Sequence, residues 1–209
     1  MRVTIFDYGA GNLHSLAKAI EGGGVEVRIE EDPTLAIDTD ALVLPGVGAF
    51  GAAAGRLAPG RTAMREAIAR GLPTLGICLG MQLLFEGSDE DAAVTLGTLP
   101  GRTVRLMDAP TLPHIGWNQV ERTGAHPLFD GIDDGADFYF VHSYAGAPPR
   151  GGHATTDGDP LVLARTTHGR PFVSAVARGA MAGVQFHPER SGADGLRLLA
   201  NFVHIVRAA

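Results

Sequence analysis

Pro73-Thr-Leu-Gly-Ile-Cys-Leu-Gly-Met-Gln-Leu-Leu-Phe-Glu86 holds the only cysteine in 209 residues, and the way this stretch is read decides the fold. Thr74–Ile77 is a short apolar run of the kind that forms a buried strand, and a helical pattern starts at Leu79. Between them, Gly76-Ile-Cys-Leu-Gly80 has the spacing of a G-x-S-x-G nucleophile elbow, where a strand turns sharply into a helix and strains the nucleophile at the bend. Glycines are expected at both flanks because side chains there would collide across so tight a turn. By composition alone, a cysteine among Leu, Ile and Met is a small buried hydrophobe. At an elbow it also sits at a helix N-terminus, whose positive dipole end favours the thiolate.

Working outward, short β-branched runs alternate with helical patterns through the first half. They are Arg2–Phe6, a helix near Leu13–Glu21, Val25–Ile29, Ala41–Leu44, a helix near Thr62–Arg70, and Thr74–Ile77. That order predicts βαβ units and a parallel sheet covered on both faces. Pro59-Gly60 divides the segment before Thr62 into two pieces. The second half carries strand-like runs at Arg102–Leu106, Phe138–His142, Leu161–Arg165, Phe172–Ala177 and Met181–Phe186, separated by Gly, Pro and Asp, so hairpin-linked antiparallel strands are expected. A last amphipathic helix over about Ala193–Val206 places Leu196, Leu199, Phe202, Val203 and Val206 on one face. There is no internal repeat, and the length suits one domain over residues 1–209.

In open parallel sheets, ligands bind beyond the carboxyl ends of the strands. Four segments then converge on one edge: Asp7-Tyr-Gly-Ala-Gly-Asn12, Pro45-Gly-Val-Gly48, Cys78 and His187-Pro-Glu189. A thiolate nucleophile needs a partner to accept and return a proton, and His187 ends a strand two residues before a carboxylate. Glu189 can hold one ring nitrogen while the other faces the thiol, the nucleophile, base and orienter logic of a triad. A metal-binding His-x-Glu is disfavoured for want of further ligands at clear spacing. Gly46-Val-Gly-Ala-Phe-Gly51 satisfies G-x-G-x-x-G, but Pro45, the Pro59-Gly60 break and the placement of Glu66 in a helical pattern argue against a dinucleotide site. Its glycines suit backbone N–H groups at Gly46, Val47 and Gly48 that serve a developing oxyanion, with the amide of Leu79 as second donor.

The net charge of −6 and pI near 5.7, with no run of five or six like charges, speak against nucleic acid or an anionic membrane as partner. The chain opens into a strand-like run rather than a signal peptide, and no apolar segment approaches the roughly 18 residues that span a bilayer. One cysteine forms neither an internal disulfide nor a four-cysteine zinc site, so a cytoplasmic setting is expected, with no metal and no cofactor.

Gly-Ile-Cys-Leu-Gly-Met-Gln82 and Gln-Phe-His-Pro-Glu189 on this α/β order resemble the two signatures of class I glutamine amidotransferases. More narrowly, Pro45-Gly-Val-Gly-Ala-Phe-Gly51, Pro113-His-Ile-Gly-Trp-Asn118, Tyr139-Phe-Val-His-Ser-Tyr144 and Gly195-Leu-Arg-Leu-Leu-Ala-Asn-Phe202 are similar to the glutaminase subunits of imidazole glycerol phosphate synthases. The resemblance runs nearly end to end and implies a flavodoxin-like three-layer α/β/α sandwich, with a mostly parallel central sheet and antiparallel additions in the second half. It implies that Cys78 attacks the side-chain amide of glutamine to give a glutamyl thioester, with His187 as acid and then base and Glu189 as its orienter. Gln82 and the backbone around Ser143 and Tyr144 would hold the amino-acid end of glutamine. Ammonia would pass to a separate cyclase subunit, a (β/α)₈ barrel needing at least about 200 residues of its own. Asn12, Trp117, Tyr139 and Arg190 match positions at the partner interface or the ammonia passage. Ordinary burial is the other reading for Trp117 and Tyr139. Arg190 stands where the family usually has Lys, which keeps the charge and alters the geometry. Two alternatives stay open: another class I glutaminase, and a free-standing cysteine hydrolase of similar fold.

Overall fold

The computed structural model describes residues 1–9, 13–46, 48–147 and 161–208, so Asn12 and Val47 lie outside the described residues. The first half builds strand and helix in alternation: β1 (Arg2–Phe6), α1 (His14–Glu21), β2 (Glu26–Glu30), β3 (Ala41–Leu44), α2 (Phe50–Leu57), α3 (Arg61–Ala69), β4 (Thr74–Ile77) and α4 (Leu79–Leu84). Two helices fall where Pro59-Gly60 divides the segment. The second half supplies β5 (Phe85–Ser88), β6 (Leu99–Arg105), β7 (His114–Arg122), β8 (Ala136–His142), β9 (Tyr144–Ala147), β10 (Leu161–His168), β11 (Arg170–Arg178), β12 (Met181–Val184) and α5 (Gly192–Ala208).

Nine strands share one sheet in the order β2-β1-β3-β4-β12-β11-β10-β7-β8, and β5-β6-β9 form a small second sheet. From β2 to β12 every pairing is parallel; from β12 to β8 every pairing is antiparallel. The switch at β12 lets a strand from the far end of the chain lie beside β4, the strand that leads to Cys78.

Strand alternation explains the layers. Val3, Ile5, Ala41, Val43, Leu75 and Ile77 point to one face and pack with Leu16, Ile20, Leu199 and Phe202 of α1 and α5. Phe6, Leu42 and Leu44 point to the other and pack with Phe50, Leu57, Met64 and Leu83 of α2, α3 and α4. Each of these side chains larger than alanine, fully buried, contributes about 1.5–3 kcal/mol, and the two clusters together fix both helical layers. One sequence expectation is corrected here. The buried stripe of α5 is Gly195, Leu198, Leu199, Phe202 and Val203, whereas Leu196 is 51% exposed. At 100° per residue, Leu196 falls about 90° from the centre of that stripe. Among the described residues no helix is long and apolar enough to cross a membrane.

Candidate active site

Because β3, β4 and β12 run parallel, their carboxyl ends open on one edge, with Leu44 leading to Gly46, Ile77 to Cys78 and Val184 to His187. Val184 pairs with Ile77, and the Cys78 N–H donates to the Val184 carbonyl at 2.7 Å. Cys78 adopts φ 46° and ψ −103°, a conformation that side chains other than glycine rarely hold and that stores strain at functional sites. A Cβ on Gly76 would lie 2.8 Å from the carbonyl carbon of Gly80, the collision across the turn that the motif predicts. Gly80 has a further reason. Its Cβ would run into the backbone carbonyl of Leu44, so the neighbouring strand β3 requires the glycine.

His187 is buried, and its Nδ1 lies 2.8 Å from Glu189 Oε1. That contact spans two residues because Pro188 opens a short 3-10 turn, which Ser191 closes by donating its hydroxyl to the His187 carbonyl at 2.6 Å. With Nδ1 engaged by a carboxylate, Nε2 is the nitrogen left for chemistry, and it is buried without a hydrogen-bond partner. Burial alone would push the ring toward the neutral form. Cys78 and Glu189 outweigh it, and the His187 pKa is pushed up to about 10. Nε2 is therefore the ring nitrogen available to the thiol, and Cys78 is the first of the two groups that raise the His187 pKa. Cys78 Sγ approaches the Val141 carbonyl at 3.9 Å and receives the Gln185 side-chain amide at 3.4 Å. Tyr8 lies in the same surroundings, its hydroxyl buried without a partner; burial first, then Cys78 and Asp7, hold its pKa well above the usual phenol.

A cavity of about 330 Å³ opens over the thiol, lined by residues that include Gly46, Gly48, Leu79, Gln82, Ser143 and Tyr144. Among the described residues, which do not include Val47, the structure gathers at one site those expected for nucleophile, oxyanion and substrate contacts. A Cβ on Gly46 would stand 2.7 Å from His187 Cε1 and 3.1 Å from Cys78 Cβ, so this glycine is needed for close approach to both. Gly48 has φ 129°. Glu90 also lines the cavity, its carboxyl pKa raised by burial and then by Asp91. The sequence offers no cue for Glu90, which sits in a loop after β5 with no motif around it.

The wall opposite the elbow is organised by an imidazole pair. His142 Nδ1 lies 2.7 Å from the Tyr144 carbonyl, which only accepts, so Nδ1 carries the proton and Nε2 is an acceptor. His114 Nδ1, 3.2 Å from that Nε2, must then donate, leaving His114 Nε2 to accept from Asn118 Nδ2 at 3.2 Å. Both rings are neutral at ordinary pH: burial, and then mainly the other histidines, lower His114 to about 4 and His142 to about 3. Tyr144's carbonyl also accepts Gln82 Nε2 at 2.9 Å, and Ser143's accepts the Leu106 N–H. Those two carbonyls are therefore already engaged within the chain. Among the described residues no cluster of three or more His, Cys, Asp or Glu is arranged to hold a metal ion.

The family profile for Glutamine amidotransferase class-I matches residues 4–206. The chain belongs to the class I glutamine amidotransferases. Among curated relatives, "Imidazole glycerol phosphate synthase subunit HisH" of Synechococcus sp. (strain JA-2-3B'a(2-13)) is 47% identical over 99% of this chain and 94% of its own length. The protein of the same name from Thermobifida fusca is 45% identical over 97% of both chains. The solved structure of PurLQS from Thermotoga maritima superposes with a TM-score of 0.69 over 97% of each chain at 21% identity, a likeness of fold.

Within this amidotransferase fold, Trp117 and Tyr139 are not ordinary core residues. Trp117 is 57% exposed and Ile115, on the same face of β7, is 60% exposed. Trp117 and Tyr139 pair across β7 and β8, their rings edge to face with centroids 6.1 Å apart. The Arg190 guanidinium lies 4.1 Å above the Tyr139 ring. A second cleft of about 300 Å³, lined in part by Leu16, Gly46, Glu189 and Arg190, reaches the triad from another side. Gly46 borders both openings.

Proposed function

We propose that this chain is the glutaminase subunit of an imidazole glycerol phosphate synthase, working in the cytoplasm in histidine biosynthesis. It hydrolyses glutamine to glutamate at Cys78 and delivers the ammonia to a separate (β/α)₈-barrel cyclase. The observation that carries this reading is a strained Cys78 lining a 330 Å³ cavity beside the His187–Glu189 pair, in a chain 47% identical over 99% of its length to a HisH subunit. Glutamine lies in that cavity, its α-ammonium toward the Glu90 carboxyl and its side-chain amide over the sulphur. The thiolate attacks the amide carbon, and backbone N–H groups at Leu79 and the Gly46–Gly48 segment take the negative oxygen. The His187 imidazolium gives its proton to the departing nitrogen, the C–N bond breaks, and ammonia leaves as the oxyanion collapses to a Cys78 thioester. Neutral His187 next takes a proton from water, the hydroxide adds to the thioester, and glutamate departs as the thiolate reforms.

His187→Ala is expected to lower glutamine turnover by about 10³–10⁴, and Cys78→Ala with His187→Ala together to lose little more than either alone, because members of one catalytic unit are strongly non-additive. Glu189→Gln costs less, about 10², since an orienting charge is lost and the proton carrier stays. Steady-state glutamate release by the complex with cyclase and nucleotide measures all three. Losses that multiplied in the double variant would show that the residues act separately.

Exposed Trp117, Ile115 and Arg190, with half-buried Tyr139, form the cyclase-facing surface. Buried aromatic and arginine anchors carry most interface energy, so Trp117→Ala and Arg190→Ala each weaken binding to the cyclase about tenfold in a titration. Arg190→Lys keeps the charge without the planar stack on Tyr139 and falls between. Unchanged affinity in both alanine variants would move the interface elsewhere.

A further inference from the structure

Gln185 belongs to the Gln-Phe-His-Pro-Glu189 signature, yet neither the motif nor the proton relay gives it a task. The parallel register decides where it sits. Val184 pairs with Ile77, so the next residue along β12 stands beside Cys78, and the Gln185 N–H is bound to the Ser174 carbonyl at 2.9 Å. The side chain is fully buried and makes two contacts: Oε1 with Gln82 Nε2 at 3.3 Å, and Nε2 with Cys78 Sγ at 3.4 Å.

The orientation of this amide follows from its neighbours. The Tyr144 carbonyl only accepts, so the Gln82 atom bound to it is the NH₂ group. The same NH₂ faces Gln185, which must present its oxygen there, and the Gln185 NH₂ is thereby aimed at the sulphur. His142 Nδ1 fills the remaining acceptor position of the Tyr144 carbonyl and fixes the start of this relay. Reversing the Gln185 amide would set NH₂ against NH₂ at one end and turn its oxygen to an anionic sulphur at the other.

We propose that Gln185 is a working part of the nucleophilic site, its N–H holding the Cys78 thiolate, with Gln82 and the Tyr144 carbonyl setting its aim. The inference rests on Cys78 being the nucleophile of the function proposed above. The sulphur is charged before acylation and again as it leaves in deacylation, and neutral in the thioester. A donor to the charged state is the stronger kind of hydrogen bond, so Gln185 favours the thiolate at both ends of the cycle. It does not line the glutamine cavity.

Gln185→Met matches the length and removes the donor; Gln185→Glu turns an oxygen toward the sulphur. The first readout is alkylation of Cys78 by iodoacetamide in the chain alone, followed across pH because the thiolate is the species that reacts, together with the ultraviolet absorbance of the thiolate. Neither needs glutamine or cyclase, so this readout stands even if the proposed function fails. Both variants are expected to alkylate about tenfold or more slowly, Glu the slower, with lower thiolate absorbance. In the complex, kcat falls in parallel while KM for glutamine stays within about threefold. Gln82→Met, which leaves the sulphur's donor in place but removes its guide, slows alkylation less, and it decides the matter should the Gln185 variants not fold. Wild-type alkylation in Gln185→Met, or in Gln82→Met if that variant is the one that folds, overturns the proposal. So does a fall in kcat with alkylation unchanged.

Discussion

Cys78→Ala is expected to lower glutamine-dependent synthesis by the assembled complex about 10⁴-fold or more, while synthesis from added ammonia continues at the wild-type rate. Only the generation of ammonia passes through the thioester; the cyclase reaction needs the nitrogen and not its source. The substitution is small, at a residue 5% exposed, and leaves the Trp117 and Arg190 face untouched. Loss of complex formation is therefore not expected, and the ammonia arm of the assay reports it directly. Persisting glutamine turnover would remove Cys78 from the reaction. Loss of both arms would show that the variant had damaged assembly.

The second large effect is activation by the partner. Adding cyclase with its nucleotide to the isolated chain is expected to raise kcat for glutamine by about 10²–10³, the value of a missing oxyanion donor. The Pro45–Gly48 loop is the candidate switch, since a glycine-rich backbone can reorient at low steric cost. The geometry also assigns Gly46 a stricter role than the sequence alone suggests. Its Cβ would stand 2.7 Å from His187 Cε1, so Gly46→Ala displaces the imidazole and removes about 10² or more of glutamine turnover even with liganded cyclase present. Gly48→Ala acts through the backbone, because φ 129° is costly for any residue with a side chain, and it alters the activation ratio with assembly intact. Steady-state rates with and without liganded cyclase separate the two glycines. Equal ratios for wild type and Gly48→Ala would dismiss the loop as the switch.

The parallel half of the fold is legible because its strands are buried on both faces and read as apolar runs between helical patterns, as in Ala41–Leu44 and Thr74–Ile77. β7 is not legible in the same way. It turns Ile115 and Trp117 outward and buries His114, inverting the usual apolar-in pattern, and Gly116 interrupts it at φ 133°. β5 and β9 are only four residues each and depend on β6 for their pairing. At the site, Cys78, His187 and Glu189 declare themselves through strand-end position and spacing. Gln185 and Glu90 do not, because their places follow from register between β12 and β4 and from a loop that no local pattern specifies. Gly80 shows the limit of motif logic: the motif places a glycine there, while the close passage of β3 that also demands it is not written in the motif.

Supplying the assembled complex with glutamine labelled with nitrogen-15 at the side-chain amide, in an excess of unlabelled ammonium, asks whether nitrogen freed at Cys78 is handed directly to the cyclase. The account predicts that the new imidazole nitrogen carries the label nearly undiluted with Cys78 intact and none of it in Cys78→Ala. Label diluted to the composition of the bulk ammonium would contradict it, leaving a hydrolase that releases ammonia to solution.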